Sequence, residues 1–253
     1  MKEGSVSPPD SSPRMTLLTN IPLVLNERDI FRRVGLGERR NIKPGIKTMI
    51  QELIREIETS RLLQPAAVFR LFRVETIAGA QTVLEGKRIL PGSLLPSLFP
   101  RAKYLALAVA TIGGMIEGRA SAYTRHGQTF RGLLLDGMGS AAVDRVARYV
   151  HLRVTEEAVA MGYRASGSVN PGMPGLPLSE QRPIFQWVSA EKIGVKLTST
   201  GLMVPQKSIS MIIGIGVKMP SWTQTEICKK CNLRRSCPYR FSAGHAEEGD
   251  EKT

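Results

Sequence analysis

Cysteine is confined to one short stretch of this sequence. Only three occur among 253 residues, and they are Cys228, Cys231 and Cys237. An odd, clustered set cannot make the dispersed framework of a secreted disulfide domain, so the expected compartment is the reducing cytoplasm. Aromatic residues are also scarce, at 6%, and they are not interleaved with the basic ones. That removes the stacking platform on which single-stranded nucleic acid is held. No apolar run reaches the ~18 residues of a membrane span. The longest runs, Tyr104–Ile116 and Ile209–Val217, are interrupted or short. Met15–Leu25 has the apolar character of a signal-peptide core, yet it contains Pro22, lacks a small-residue cleavage site and runs into Asn26-Glu27-Arg28-Asp29. No P-loop is present, and no GxGxxG follows a strand, which argues against the common nucleotide-binding folds. No repeat recurs at a fixed period.

What is abundant is positive charge. Thirty-five basic residues against 22 acidic ones leave a net charge of +13. Such a balance suits an anionic partner, whether nucleic acid, an acidic protein or a phosphorylated cofactor. The apolar share, 42%, is ample for a packed core.

Four regions are expected. Residues 1–14 are polar and rich in Ser and Pro, a composition that cannot offset ordering entropy, so they read as a disordered tail. Residues 15–220 read as one domain, 221–241 as the cysteine segment, and 242–253 as an acidic, disordered tail. Within the domain, Asn26 is a helix cap ahead of Glu27–Val34. Asn41–Leu63 is the clearest helix. Pro44 suits its first turn, and Ile46, Met49, Ile50, Leu53, Ile54 and Ile57 form one apolar stripe, with Glu52 and Glu56 on a solvated opposite face. Ala67–Val74 and Gln81–Leu84 read as strands, Ser93–Leu98 as a short helix, and Tyr104–Ala110 as a central strand buried on both sides. Two helices follow, one opening at Ile112 and one running from Gln128 to about Ala160. The second carries Gly137-Met138-Gly139-Ser140-Ala141-Ala142, where glycine costs about 1 kcal/mol and implies that another backbone, or else a ligand, packs close, the backbone being the plainer reading.

Arg164–Gly216 is the most informative stretch. A turn-dense loop, Asn170-Pro171-Gly172-Met173-Pro174-Gly175, leads to a helix expected over Glu180–Ile193 with Ser179 as its cap. Strands follow at Val195–Thr198 and Lys207–Val217. Gly and Pro at this density suit a backbone that bends tightly or approaches a ligand. The mixture lacks regular βα alternation, so the fold class is α+β. Near the end, Cys228, Cys231 and Cys237 stand in a C-x2-C-x5-C pattern. Thiolates so spaced can converge on one metal, with His245 completing a Cys3His zinc site or with a [4Fe–4S] cluster left open at its fourth position. Three free thiols in a basic tail are the plainer reading.

Three blocks carry a family resemblance. They are Leu107–Glu117, the helix Leu135–Val154 with its Tyr-x-His-x-Arg-Val ending, and the Pro-Gly loop followed by Gly-Val-Lys-Leu-Thr, Met203-Val204-Pro205 and Ser208-Ile209-Ser210. In these the chain resembles the activation (S-adenosylmethionine-binding) domain of cobalamin-dependent methionine synthase, over roughly residues 25–217. The resemblance implies a single domain on a twisted antiparallel sheet with several helices. It implies a protein that positions S-adenosylmethionine so that an oxidised corrinoid on a partner protein regains its methyl group with one electron. The family's ligand-binding acid falls on Asp144, for which the plainer role is an i,i+4 pair with Arg148. The family's loop falls on Ser168, Asn170, Pro171, Gly172 and Met173. Two positions depart from the pattern. Ser168 stands where the family has an arginine, and Met173 where it has a tyrosine, which removes a bidentate cation and a ring hydroxyl. Arg164 and Arg182 are the nearby cations.

The implied role is a methionine synthase component acting in trans on a corrinoid protein or cobalamin-binding synthase, because no corrinoid-binding motif is present. No catalytic residue is assigned. The alternative is an iron–sulfur electron-transfer or interaction subunit without its own S-adenosylmethionine site, and a nucleic-acid binder is the third reading.

Overall fold

In the computed structural model, residues 15–34 and 42–222 are described, with Glu226 and Arg235 besides. A seven-stranded antiparallel sheet forms the centre, in the order β4-β3-β2-β5-β9-β6, with β1 also pairing β2. The strands are β1 (Met15–Leu18), β2 (Ala66–Ala78), β3 (Gln81–Leu84), β4 (Arg88–Pro91), β5 (Tyr104–Thr111), β6 (Arg164–Val169) and β9 (Ser208–Gly216). A two-residue hairpin, β7 (Lys196–Leu197) with β8 (Met203–Val204), stands apart from it. The helices are α1 (Glu27–Arg33), α2 (Pro44–Thr59), α3 (Leu94–Leu98), α4 (Met115–Arg125), α5 (Thr129–Ala160) and α6 (Gln181–Val188). The α+β expectation holds.

The sheet separates two cores, and strand periodicity assigns each residue to one of them. Along β5, Ala106, Ala108 and Ala110 face α1, α2, α4 and α5, whereas Leu105, Leu107 and Val109 face α3 and α6. All six are fully buried, so the expected central strand is present. Alanine on one side admits the long helix α5 closely. Leucine and valine on the other each contribute about 1.5–3 kcal/mol by burial. The small residues of α5 work in the same way. A Cβ on Gly137 would sit 2.5 Å from Val34 Cγ1 of α1, so the glycine lets those two helices touch.

Asn26 caps α1 as expected, its Oδ1 accepting the Asp29 amide at 2.8 Å. The α2 stripe is buried at Ile50, Leu53 and Ile57. Three expectations are corrected. The helix after the loop is shorter than Glu180–Ile193. It ends at Val188, Ser189 adopts φ 62°, and a 3-10 turn, Ala190–Ile193, follows. Ser179 is not its cap but lies in a 3-10 turn, its hydroxyl on Glu180 Oε1 at 3.1 Å. The face of α2 bearing Glu52 and Glu56 is not simply solvated, because Glu56 bonds Arg119 and Tyr123 while Glu52 takes Arg131 at 2.9 Å. An ion-paired seam therefore joins α2 to α4 and α5.

Candidate functional site

The strand β6 was not foreseen, because Arg-Ala-Ser-Gly-Ser-Val does not alternate apolar and polar residues. It pairs with β9 through a bulge. Ala165 lies opposite Ile215 and Ser168 opposite Ile213, so Ser166 and Gly167 together face Gly214. An extra residue reverses the side of the sheet on which every following side chain stands. Ser168 thereby falls on the α5 side with Ile213, and Val169 falls in the opposite core with Ile212. The bulge is held from within. Ser166 Oγ accepts the Gly214 amide at 2.8 Å and donates to the Gly167 carbonyl at 2.7 Å. His151 of α5 donates from Nε2 to the Ser166 carbonyl at 2.8 Å. On the other face the Trp222 indole lies over Gly167 and stacks on Phe99, with centroids 5.8 Å apart.

A Cβ at Gly167 would overlap the Trp222 ring. Gly167→Ala is therefore expected to push Trp222 off Phe99 and cost roughly 1–3 kcal/mol by overpacking. In a Trp187→Phe background, fluorescence emission should move to the red. Unchanged emission would contradict this packing.

The loop leaves β6 under tight local control. Asn170 Nδ2 donates to the Ser210 carbonyl at 2.5 Å. Ser210 Oγ in turn donates to Gln181 Oε1 at 3.2 Å, and Gln181 Nε2 donates to the Gly201 carbonyl at 2.7 Å. Ser210 and Gln181 are both buried, so this polar chain ties the loop to α6 and to the turn at Gly201. Within the loop, the Met173 amide bonds the Asn170 carbonyl at 3.1 Å and the Gly172 amide bonds the Leu176 carbonyl at 2.9 Å. The Asn170 amide points at Met173 Sδ. Gly172 and Gly175 adopt φ 93° and 85°, which only glycine takes without strain. The amides of Asn170, Gly172 and Met173 are thus used internally. Among the described hydrogen bonds, the carbonyls of Pro171 and Gly172 accept none, so the loop offers acceptors.

Asp144 is not paired with Arg148. Its carboxylate takes a two-pronged contact from Arg33 of α1, Nε at 2.5 Å and Nη2 at 2.6 Å. Arg148 instead bonds Asp29 at 2.9 Å, beside Arg145 at 2.8 Å and Arg32 at 3.1 Å. The physical reason is burial. Asp29 is only 7% exposed and needs several donors, whereas Asp144, at 20%, is satisfied by one fork. Burial alone pushes the Asp29 carboxyl up. The Arg145 hydrogen bond and the charges of Arg148 and Arg32 outweigh it and hold the group below its ordinary value near 3.8. Burial lowers the Arg32 guanidinium from its ordinary value, with Asp29 and Asp144 opposing.

Two anchors locate Asp144 relative to the loop. Ser140, Asp144, Arg148 and His151 recur at spacings of four, four and three, so they form one stripe along α5. At one end Ser140 meets Lys207 Nζ at 3.0 Å, just before β9 begins. At the other, His151 meets Ser166. Because β6 and β9 are antiparallel, the segment between these anchors contains Ser168 of β6, with Asn170 just beyond its end, and Ser208–Ser210 of β9. Asp144 stands on α5 between the two anchor residues, with its carboxylate on Arg33 of α1. Arg182 is used on the carbonyls of Thr198 and Ser199, and Arg164 lies at the far end of β6 opposite Gly216. Sequence reasoning missed Arg33, Ser166 and Gln181. His151 was visible only as a motif letter. A separate open cleft of about 710 Å³ between α4 and α5, lined by Gly118, Ser121, Gly132 and Asp136, contains none of these residues.

Cys228, Cys231, Cys237 and His245 lie outside the described residues, as do the two expected tails. Among the described residues no three His, Cys, Asp or Glu side chains converge as metal ligands, and no helix is long and apolar enough to cross a membrane.

No protein-family model matches the sequence, and no curated protein does. A solved structure does match by shape, namely the MetH reactivation domain bound to AdoHcy, with a TM-score of 0.61 over 89% of this chain and 86% of that one. The chain has the fold of that reactivation domain. Identity is 14%, so the likeness shown is that of the backbone path. The expected architecture of one antiparallel sheet flanked by helices is thereby confirmed.

Proposed function

We propose that this chain acts in trans as the activation component of a cobalamin-dependent methionine synthase or related corrinoid methyltransferase, presenting S-adenosylmethionine for reductive remethylation of the corrinoid. One observation carries the reading: over 89% of its length the chain shares the fold of a domain captured with AdoHcy, the demethylated form of that methyl donor. The residues present are compatible with such a ligand. The Pro171 and Gly172 carbonyls are free acceptors for an amine such as that of adenine. Asp144, on the same helix face as His151 and Ser140, is the acid for an ammonium group. When bound, S-adenosylmethionine supplies an electrophilic methyl group, and the chain's part is to orient it and keep it at the loop.

Cys228, Cys231 and Cys237 are the proposed metal ligands, and an iron–sulfur cluster there would serve electron delivery.

The test mixes the chain with a corrinoid protein in its cob(II)alamin form, S-adenosylmethionine and a one-electron reductant. The expected result is chain-dependent appearance of the methyl-Co(III) spectrum with one S-adenosylhomocysteine per cobalt. Calorimetry should show S-adenosylmethionine binding to the chain alone. Absence of both, with iron and sulfide present in the anaerobically purified protein, would favour the electron-transfer subunit instead. Zinc in their place would reassign the cysteines to a structural site.

A further inference from the structure

We infer that Arg33 and Asp144 together form the receptor for the α-amino-acid end of the ligand, with Arg33 taking its carboxylate; the inference rests on the S-adenosylmethionine reading above. A bound α-amino acid presents an ammonium and a carboxylate side by side. The loop has no cation for the second. Ser168 carries a single hydroxyl, the amides of Asn170, Gly172 and Met173 are used within the loop, and Arg182 is used on the Thr198 and Ser199 carbonyls. Arg164 stands at the opposite end of its strand.

Arg33 meets the requirements that these fail. Its guanidinium is already ordered as a fork on a carboxylate, at 2.5 and 2.6 Å, and a guanidinium recognises carboxylates two-pronged. It is accessible, with 27% of its side chain exposed against 7% for Arg32 and Asp29. Its partner Asp144 stands on α5 between Ser140, which meets Lys207 just before β9, and His151, which meets the Ser166 carbonyl in the strand that leads to Ser168 and Asn170. Charge also favours an added carboxylate. Four guanidinium groups, Arg32, Arg33, Arg145 and Arg148, share the two carboxylates of Asp29 and Asp144. On binding, the ligand's ammonium takes Arg33's place on Asp144 and the ligand's carboxylate takes Asp144's place on Arg33. One charge pair becomes two, and no charge is left uncompensated. The cation at the loop's Ser168 position is thus supplied from α1.

The test compares two neutral thioethers of adenosine by calorimetry. S-adenosylhomocysteine carries the amino acid and 5′-methylthioadenosine does not. The wild type should bind the first more tightly. Arg33→Gln should weaken S-adenosylhomocysteine about tenfold or more, as expected for a charge-assisted hydrogen bond, and leave methylthioadenosine unchanged. Arg33→Lys should recover only part, since it keeps the charge but not the fork. Thermal melts of each variant report folding. Equal losses for both ligands would assign Arg33 a structural role and overturn the inference, as would an Arg33→Gln protein that binds S-adenosylhomocysteine like the wild type. A wild type that binds neither ligand would overturn the S-adenosylmethionine reading and this inference with it.

Discussion

Asp29→Ala should lower the unfolding free energy by about 3 kcal/mol, a fall of roughly 10 °C in Tm for a domain of this size. Asp29 is the acid at the centre of the α1–α5 seam, 7% exposed and bonded to Arg32, Arg145 and Arg148. Removing it leaves those charges facing one another. The estimate sits at the low end for a broken buried ion pair because Arg145 and Arg148 are 34% and 51% exposed and can turn to water. Arg32, at 7%, cannot, and the Asp144 carboxylate is 4.0 Å from it. The effect has a pH signature. The Asp29 carboxyl is held below its ordinary value near 3.8 in the folded protein, so the unfolded chain takes up the proton first. The stabilisation is complete above that value and is lost as pH falls through the folded one. The gap between wild type and Asp29→Ala in urea melts should be constant from about pH 8 to 5 and should shrink below about pH 4. A gap of the same size at the acid end would contradict the assignment.

Gly137→Leu should cost about 2 kcal/mol, although leucine is the better helix former. Leaving glycine gains about 1 kcal/mol in helix propensity. Against this, the new Cβ would meet Val34 Cγ1 at 2.5 Å and the Arg33 carbonyl at 3.2 Å, and the rest of the side chain would need space where α1 already lies. Because backbone atoms of Arg33 and Val34 are among those met, overpacking falls at the upper end of its usual range, about 3 kcal/mol with α1 displaced, and exceeds the gain by about 2 kcal/mol. Two other glycines are controls. Nothing lies within 4 Å of a Cβ on Gly118, and Gly139 would meet only Ile116 and the flexible end of Lys207, at 3.3 and 3.4 Å. Gly118→Ala should stabilise by roughly 0.5–1 kcal/mol, and Gly139→Ala should be close to neutral. Denaturant midpoints at constant slope measure all three. Equal behaviour of Gly137→Leu and Gly118→Ala would mean that α1 does not touch α5 there.

How much of this could be read in advance varied from element to element. The α2 stripe and the run Tyr104–Ala110 were legible because each repeats a signal between near neighbours, at helical spacing in one and as unbroken apolarity in the other. The small residues of α5 announced a close contact but not with which partner. β6 was invisible, since its bulge breaks the alternation by which strands are recognised. Ser189, with φ 62°, ended α6 five residues earlier than the apolar pattern suggested. For the candidate site, Asn170 to Gly175 stood out by Gly and Pro content. The partner of Asp144 did not. A helical pair with Arg148 was the local expectation, yet Arg33, 111 positions away, holds the carboxylate.

By itself, then, the sequence determined the classes of element, the two-sided burial of the central strand and the turn chemistry of the loop. These depend on residues within a few positions of one another, where side-chain periodicity and backbone preference act directly. Only the tertiary structure decided which charges meet, on which side of the sheet Ser168 stands, and that Asp144 is held by Arg33 of α1. Those follow from strand register and helix contact. A single bulged residue reverses a face, and a buried acid such as Asp29 draws in whichever donors the packing brings within reach, taking Arg148 from its helical neighbour.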